Sequence, residues 1–169
     1  MHEFTDLIYR CTTFTLASLR EANERVIEEL QTSSATTLVK ALQMVQLQKA
    51  ILTVGMFSMF EANLQDILGC KNGFARAKEI LKNKGQSTTK ERFDDLCCAI
   101  NVLKHGRGDS YNTLVKKAKN LPFRVKLPHE SFFSEGDVSE VSTLVEVNDE
   151  FVLYCLDVIR EVSVSVKCS

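Results

Sequence analysis

The chain has 169 residues, 44% of them apolar and 25% charged, with 21 basic against 22 acidic side chains. These are the proportions of a soluble globular protein of one ordinary domain, spanning 1–169, large enough for a single sizeable core. Only two prolines and seven glycines are present, which argues against a sheet-rich fold with many turns and for long helices.

Met1 to Asp6 holds two acidic residues and no basic cluster, and no long apolar run follows. A signal peptide is therefore not expected. The most apolar stretch, Ala50 to Phe60, is broken by Thr53, Gly55 and Ser58. It is too short to span a bilayer and reads as a buried helix. Cytoplasmic localisation is the expectation. The six cysteines agree with it. Cys11, Cys70, Cys97, Cys98, Cys155 and Cys168 form no CxxC pair, and the adjacent Cys97 and Cys98 make poor disulfide partners. No zinc-type ligand spacing occurs, so neither metal nor other cofactor is expected.

Phe4, Leu7, Ile8, Cys11 and Phe14 recur at three-four spacing, continued by Leu19, Val26, Ile27 and Leu30. This predicts a first long helix. Polar Gln31 to Ser34 reads as a turn. A second helix is predicted from about Thr36 to Leu68, with Leu38, Leu42, Val45, Leu52, Met56, Met59 and Leu64 as a wide apolar stripe and Gly69 as its stop. The pair forms an antiparallel helical hairpin. Glu61, inside this apolar helix, is unusual: it reaches a site, meets a buried basic partner, or lies on a helix edge.

After the Asn72-Gly73 turn, Phe74, Ala77, Ile80 and Leu81 mark a third helix ending at Gly85. Thr88 with Glu91 reads as a capping box opening a fourth, whose face is Phe93, Leu96, Cys97, Ile100 and Leu103 and which stops at Gly106. Asp109 or Ser110 can cap a fifth helix with Tyr111, Leu114, Val115 and Ala118 inward. Alternation over Phe123, Val125 and Leu127, and again over Val141, Thr143, Val145 and Val147, predicts a small extended insertion, either a β-hairpin or a loop. Between them Pro128 to Glu140 is acidic and irregular. A last helix starts near Asn148, with Asp149 and Glu150 in its first turn and Phe151, Cys155, Val158, Ile159, Val162 and Val166 inward. The fold class is all-α: a helical bundle built on the long hairpin, with the extended insertion before the last helix.

Charge is divided unevenly. From Lys71 to Lys126 there are 14 basic and 5 acidic residues, a net +9, and the remainder holds 7 basic and 17 acidic, a net −10. A basic stretch of this kind fits a polyanion, RNA first, or equally an attraction between the two parts of the chain or between two copies. Its centre is INVLKHGRGDS, residues 100–110. His105 lies in the last turn of the fourth helix, with Asn101 four residues earlier on the same face. Arg107 follows on a loop whose amides, with those of the next helix, can face an anion. Histidine moves protons near neutral pH and arginine holds phosphate, so the set can cleave RNA without metal by attack of the 2′-hydroxyl. His105 and Asn101 are the candidate catalytic residues. Lys104, Arg107, Tyr111, Lys116 and Lys117 are the candidate RNA contacts, Tyr111 by stacking on a base. The structural alternative is equally economical: a histidine at the negative end of a helix dipole, a glycine past the helix, and a tyrosine in the core.

INVLKHG, after a helix pair containing MFSMFEANLQDILG, resembles the HEPN superfamily (higher-eukaryote-and-prokaryote nucleotide-binding domains). The resemblance implies an all-α bundle of four or five helices. It implies a metal-independent endoribonuclease or a non-cutting RNA binder of a prokaryotic defence, toxin–antitoxin or stress system. A homodimer with a composite site, and a nucleotidyltransferase-type or other protein partner, are also implied. The family motif is Arg, four to six residues, then His, commonly with a polar residue directly after the Arg. Asn101 and His105 match the polar and histidine positions, while the arginine position falls on Ile100. The alternative from a different class is a non-catalytic helical interaction domain with no nucleic-acid role.

Overall fold

The computed structural model describes residues 4–33, 35–130, 141 and 143–167. These form six α-helices: α1 Phe4–Leu30, α2 Thr36–Leu68, α3 Gly73–Asn83, α4 Ser87–His105, α5 Asp109–Lys117 and α6 Asp149–Lys167. A 3-10 turn, Ala118–Asn120, follows α5. The fold is an all-α bundle. The long hairpin α1–α2 packs on α6, and α3 and α4 close the bundle against α2 and α6.

Helix ends follow local chemistry. Gly69 takes the left-handed conformation (φ 57°, ψ 39°) that stops α2, and the Cys70 amide donates back to Gln65 O at 3.1 Å. Asn72 caps α3 by accepting from the Ala75 amide at 2.9 Å. Asn148 caps α6 by accepting from the Phe151 amide at 2.9 Å. Two expected caps do not form. α4 begins at Ser87 with no side-chain cap, so that Thr88 lies inside the helix instead of capping it, and Glu91 pairs with Lys117 (3.3 Å). α5 begins at Asp109, preceded by Gly108 and likewise without a side-chain cap.

The core is centred on rings from three helices. Phe74 meets Phe93 edge-on at 5.2 Å, Phe60 meets Phe93 at 6.2 Å, and Phe57 meets Phe74 at 6.0 Å. Gly73 lets α3 approach α2 this closely. A Cβ there would lie 2.7 Å from Leu64 Cβ and 2.8 Å from the Glu61 carbonyl oxygen. The inward face of α6 is the one the spacing predicts, with Phe151, Cys155, Val158, Ile159, Val162 and Val166 all buried.

The hairpin departs from expectation. In α1 the buried stripe is Ile8, Thr12, Leu16 and Leu19, with the Thr12 hydroxyl 3.7 Å from Met56 Sδ. Leu7, Cys11, Phe14 and Ile27 point outward, Phe14 at 74% exposure. A helix at the bundle edge buries only the strip facing its neighbours, here α2 and α6. α2 buries Val45, Ala50, Thr53, Met56, Phe57, Phe60 and Leu64, and leaves Met59 outside. Asp149 ties the hairpin to α6 through Lys49 (2.8 Å) and Arg20 (3.0 Å).

Between α5 and α6 the extended insertion closes by a single antiparallel bridge, Val125 with Val145. The Lys126 amide donates to Leu144 O (2.9 Å) and the Glu146 amide to Arg124 O (3.1 Å). No longer ladder exists among the described residues. Residues 131–140, most of the acidic segment, and Cys168 lie outside them.

Candidate nucleic-acid interface

The α4–α5 turn is formed where the α4 stripe runs out. Gly106, at φ 75°, redirects the chain while its amide still donates to Val102 O at 2.8 Å. Asn101, Lys104, His105 and Arg107 are all exposed around it. None of the four makes a side-chain hydrogen bond or ion pair among the described residues. Ile100, one position before Asn101 and about 100° around the helix from it, is 4% exposed.

The other candidate contacts are placed differently. Tyr111 is buried, and its hydroxyl donates to Lys126 O at 2.7 Å. That bond ties α5 to the extended insertion, and burial leaves the ring without an open face to stack on a base. Lys116 is exposed, without a partner among the described residues. Lys117 is held by Asp95 (2.8 Å) and Glu91 (3.3 Å), and the Asp95 hydrogen bond raises its pKa above the usual lysine value.

A cavity of about 320 Å³ lies elsewhere, between the start of α1 and α6, but it includes none of these residues. A cavity of about 310 Å³ does adjoin the turn. Asn101 and Lys104 line it from α4, Glu61 from α2 and Lys78 from α3, with Phe57 and Phe74 beside them. His105 and Arg107 stand outside it. Sequence reasoning singled out Glu61 as unusual but had no means of placing it beside Asn101, because their meeting depends on how α2 and α4 pack. Lys78 carried no local signal at all.

Much of the basic stretch is consumed by the fold. Asp94 takes both Lys78 (2.8 Å) and Lys90 (2.6 Å). Burial works to raise the Asp94 pKa, but hydrogen bonds from the two lysines prevail and hold it below the ordinary carboxylate value. Nη1 of Arg92 donates to both oxygens of Glu161 (2.6 and 2.8 Å), and its Nε to the Tyr154 hydroxyl (3.2 Å). Burial pushes the Cys97 thiol up to about 12, against the lowering effect of Lys78. That leaves the thiol protonated and a poor nucleophile.

No protein-family model, curated protein or solved structure matches the chain. Among the described residues no group of three or more His, Cys, Asp or Glu could hold a metal ion, and no helix is long and apolar enough to cross a membrane. The turn presents two cations, an amide and an imidazole to solvent.

Proposed function

We propose that the chain is a HEPN-like RNA-associated protein that holds RNA rather than cutting it, of the kind found in prokaryotic defence, toxin–antitoxin or stress systems. The observation carrying this reading is the set Asn101, Lys104, His105 and Arg107, exposed and without partners among the described residues, in a stretch whose other cations are largely paired. Unpaired cations at a helix end are available to phosphate, and phosphate contacts dominate affinity. The non-cutting part rests on Ile100. The family's arginine position is occupied here by a side chain packed in the core, so the monomer offers no guanidinium from that position to a transition state. An active site needs a positioned set, and His105 has no side-chain partner among the described residues to orient it.

Purified protein is tested for binding single-stranded RNA across a salt series and for cleavage in EDTA, wild type beside His105→Ala and Arg107→Ala. Salt-sensitive binding without cleavage is expected. Cleavage abolished by His105→Ala would replace this reading with a metal-independent ribonuclease. Absence of binding even at low salt would remove the RNA role altogether.

One observation favours a second reading, a helical interaction protein that pairs with its own copy. The outer face of α2 exposes Met44, Leu47, Ile51 and Met59, the last two at 61% and 62%. Between Lys40 and Glu61 the one charge on α2 is Lys49, which is turned inward to Asp149. Such an uncharged apolar face meets itself without like-charge contact. Light scattering of the wild type and Ile51→Glu decides it: a dimer converted to monomer supports the reading, and a monomeric wild type removes it.

A further inference from the structure

The cavity beside the α4–α5 turn gathers two opposite charges that do not neutralise each other. Glu61 and Lys104 both line it, yet neither forms an ion pair or side-chain hydrogen bond among the described residues. Asn101, also on its wall, is equally without a partner. The other cation on the wall, Lys78, is held by Asp94, which also takes Lys90. Of the other polar groups on the wall, Asn72 is occupied in capping α3 and the Ser58 hydroxyl donates to Val54 O. The apolar side is Phe57, Phe74 and Ile100. Gly73 keeps this wall close to α2, since any side chain there would collide with the Glu61–Leu64 turn. The volume, about 310 Å³, is at the small end of ligand sites, which run from about 300 Å³.

Three polar side chains without a protein partner among the described residues, set on the same wall as aromatic and aliphatic groups, describe a ligand. It has a flat apolar face, a donor-rich edge for a carboxylate that only accepts, and an anion for a lysine. Resting on the RNA-associated reading above, we infer that this cavity receives one unpaired guanine nucleotide of a bound single strand. Guanine is the RNA base with two adjacent N–H donors, N1–H and N2–H, on one edge, matching the two oxygens of Glu61. Asn101 can serve the neighbouring O6, Lys104 takes the phosphate, and the ring lies against Phe74. Single-stranded RNA is read in this way, with a splayed base stacked on an aromatic and bonded along its Watson–Crick edge. Glu61, unexplained by helix amphipathicity, thereby acquires a role as the specificity-determining group.

The test uses fluorescence anisotropy with two labelled octamers at one salt concentration: oligo-A, and the same strand with a single central guanine. The guanine strand is expected to bind about tenfold more tightly, the scale of one bidentate base contact. Glu61→Gln loses the preference for the guanine strand over oligo-A. Asn101→Ala reduces the preference, and Lys104→Ala weakens both strands alike. Equal binding of the two strands by the wild type, or a preference that survives Glu61→Gln, overturns the guanine assignment while leaving the RNA reading in place. If neither strand binds at low salt, the RNA reading itself has failed and the assignment falls with it.

Discussion

Two parts of the same basic stretch use their cations in opposite ways. In the seam where α4 meets α5 and α6, Arg92 is clamped to Glu161 and Tyr154, and Lys117 to Asp95 and Glu91. At the α4–α5 turn, Lys104 and Arg107 have no partner among the described residues. The seam spends its charge on holding helices together, and the turn presents its charge to solvent. Net charge along a sequence therefore overstates the charge a partner can meet, and the surplus of +9 between residues 71 and 126 reduces to a few accessible side chains.

The comparison can be broken most directly at Arg92. Arg92→Ala removes a two-oxygen carboxylate contact and a guanidinium lying 4.9 Å over the Tyr154 ring, and is expected to cost about 2 kcal/mol in urea unfolding. Adjacent lysines give the next contrast. Lys117→Ala strands the buried Asp95 and should cost about 1 to 2 kcal/mol, whereas Lys116→Ala, exposed and partnerless, should lie within about 0.5 kcal/mol of wild type. Equal effects at the two positions would mean the seam is not structural.

Acid sharpens the same distinction. The Asp94 pKa is held down in the folded protein, so its stabilising contribution is complete above the unfolded value near 3.8 and is lost as pH falls below it. Asp94→Asn should flatten the stability-pH curve below pH 4, seen by thermal melts, with a smaller slope than wild type. The smallest effect on stability is expected from Lys104→Ala with Arg107→Ala, which should leave the melting temperature unmoved. In RNA binding the same double variant should lower the magnitude of the log K against log salt slope by about 0.7 per cation removed. Arg92→Ala, while still folded, should leave that slope as in wild type.

Much of the fold was legible along the chain because its signals are local. Three-four spacing gave the inward face of α6, Gly69 and Gly106 gave two helix ends, and Asn72-Gly73 gave the start of α3. The hairpin was half legible. α1 is apolar on more than one side, and spacing alone cannot choose which strip a bundle will cover: Phe14, part of the three-four pattern, stands outside. The capping box at Thr88 does not form because α4 already starts at Ser87, and Glu91 pairs with Lys117, 26 residues away.

The candidate site divides along the same line. Asn101, Lys104, His105 and Arg107 were readable because one helical turn and one loop bring them together. Tyr111 and Lys117 were not, since burial and pairing decide their availability, and both depend on segments distant in sequence. What the amino-acid order determined by itself was the helices, most of their ends and a cation-rich turn, because each follows from contacts a few residues apart. What only the tertiary structure decided was which cations remain free, that Ile100 is packed away, and that Glu61 shares a cavity with Asn101 and Lys104. Those depend on how α2, α3 and α4 approach one another, and that approach is set by ring packing and by the missing side chain at Gly73.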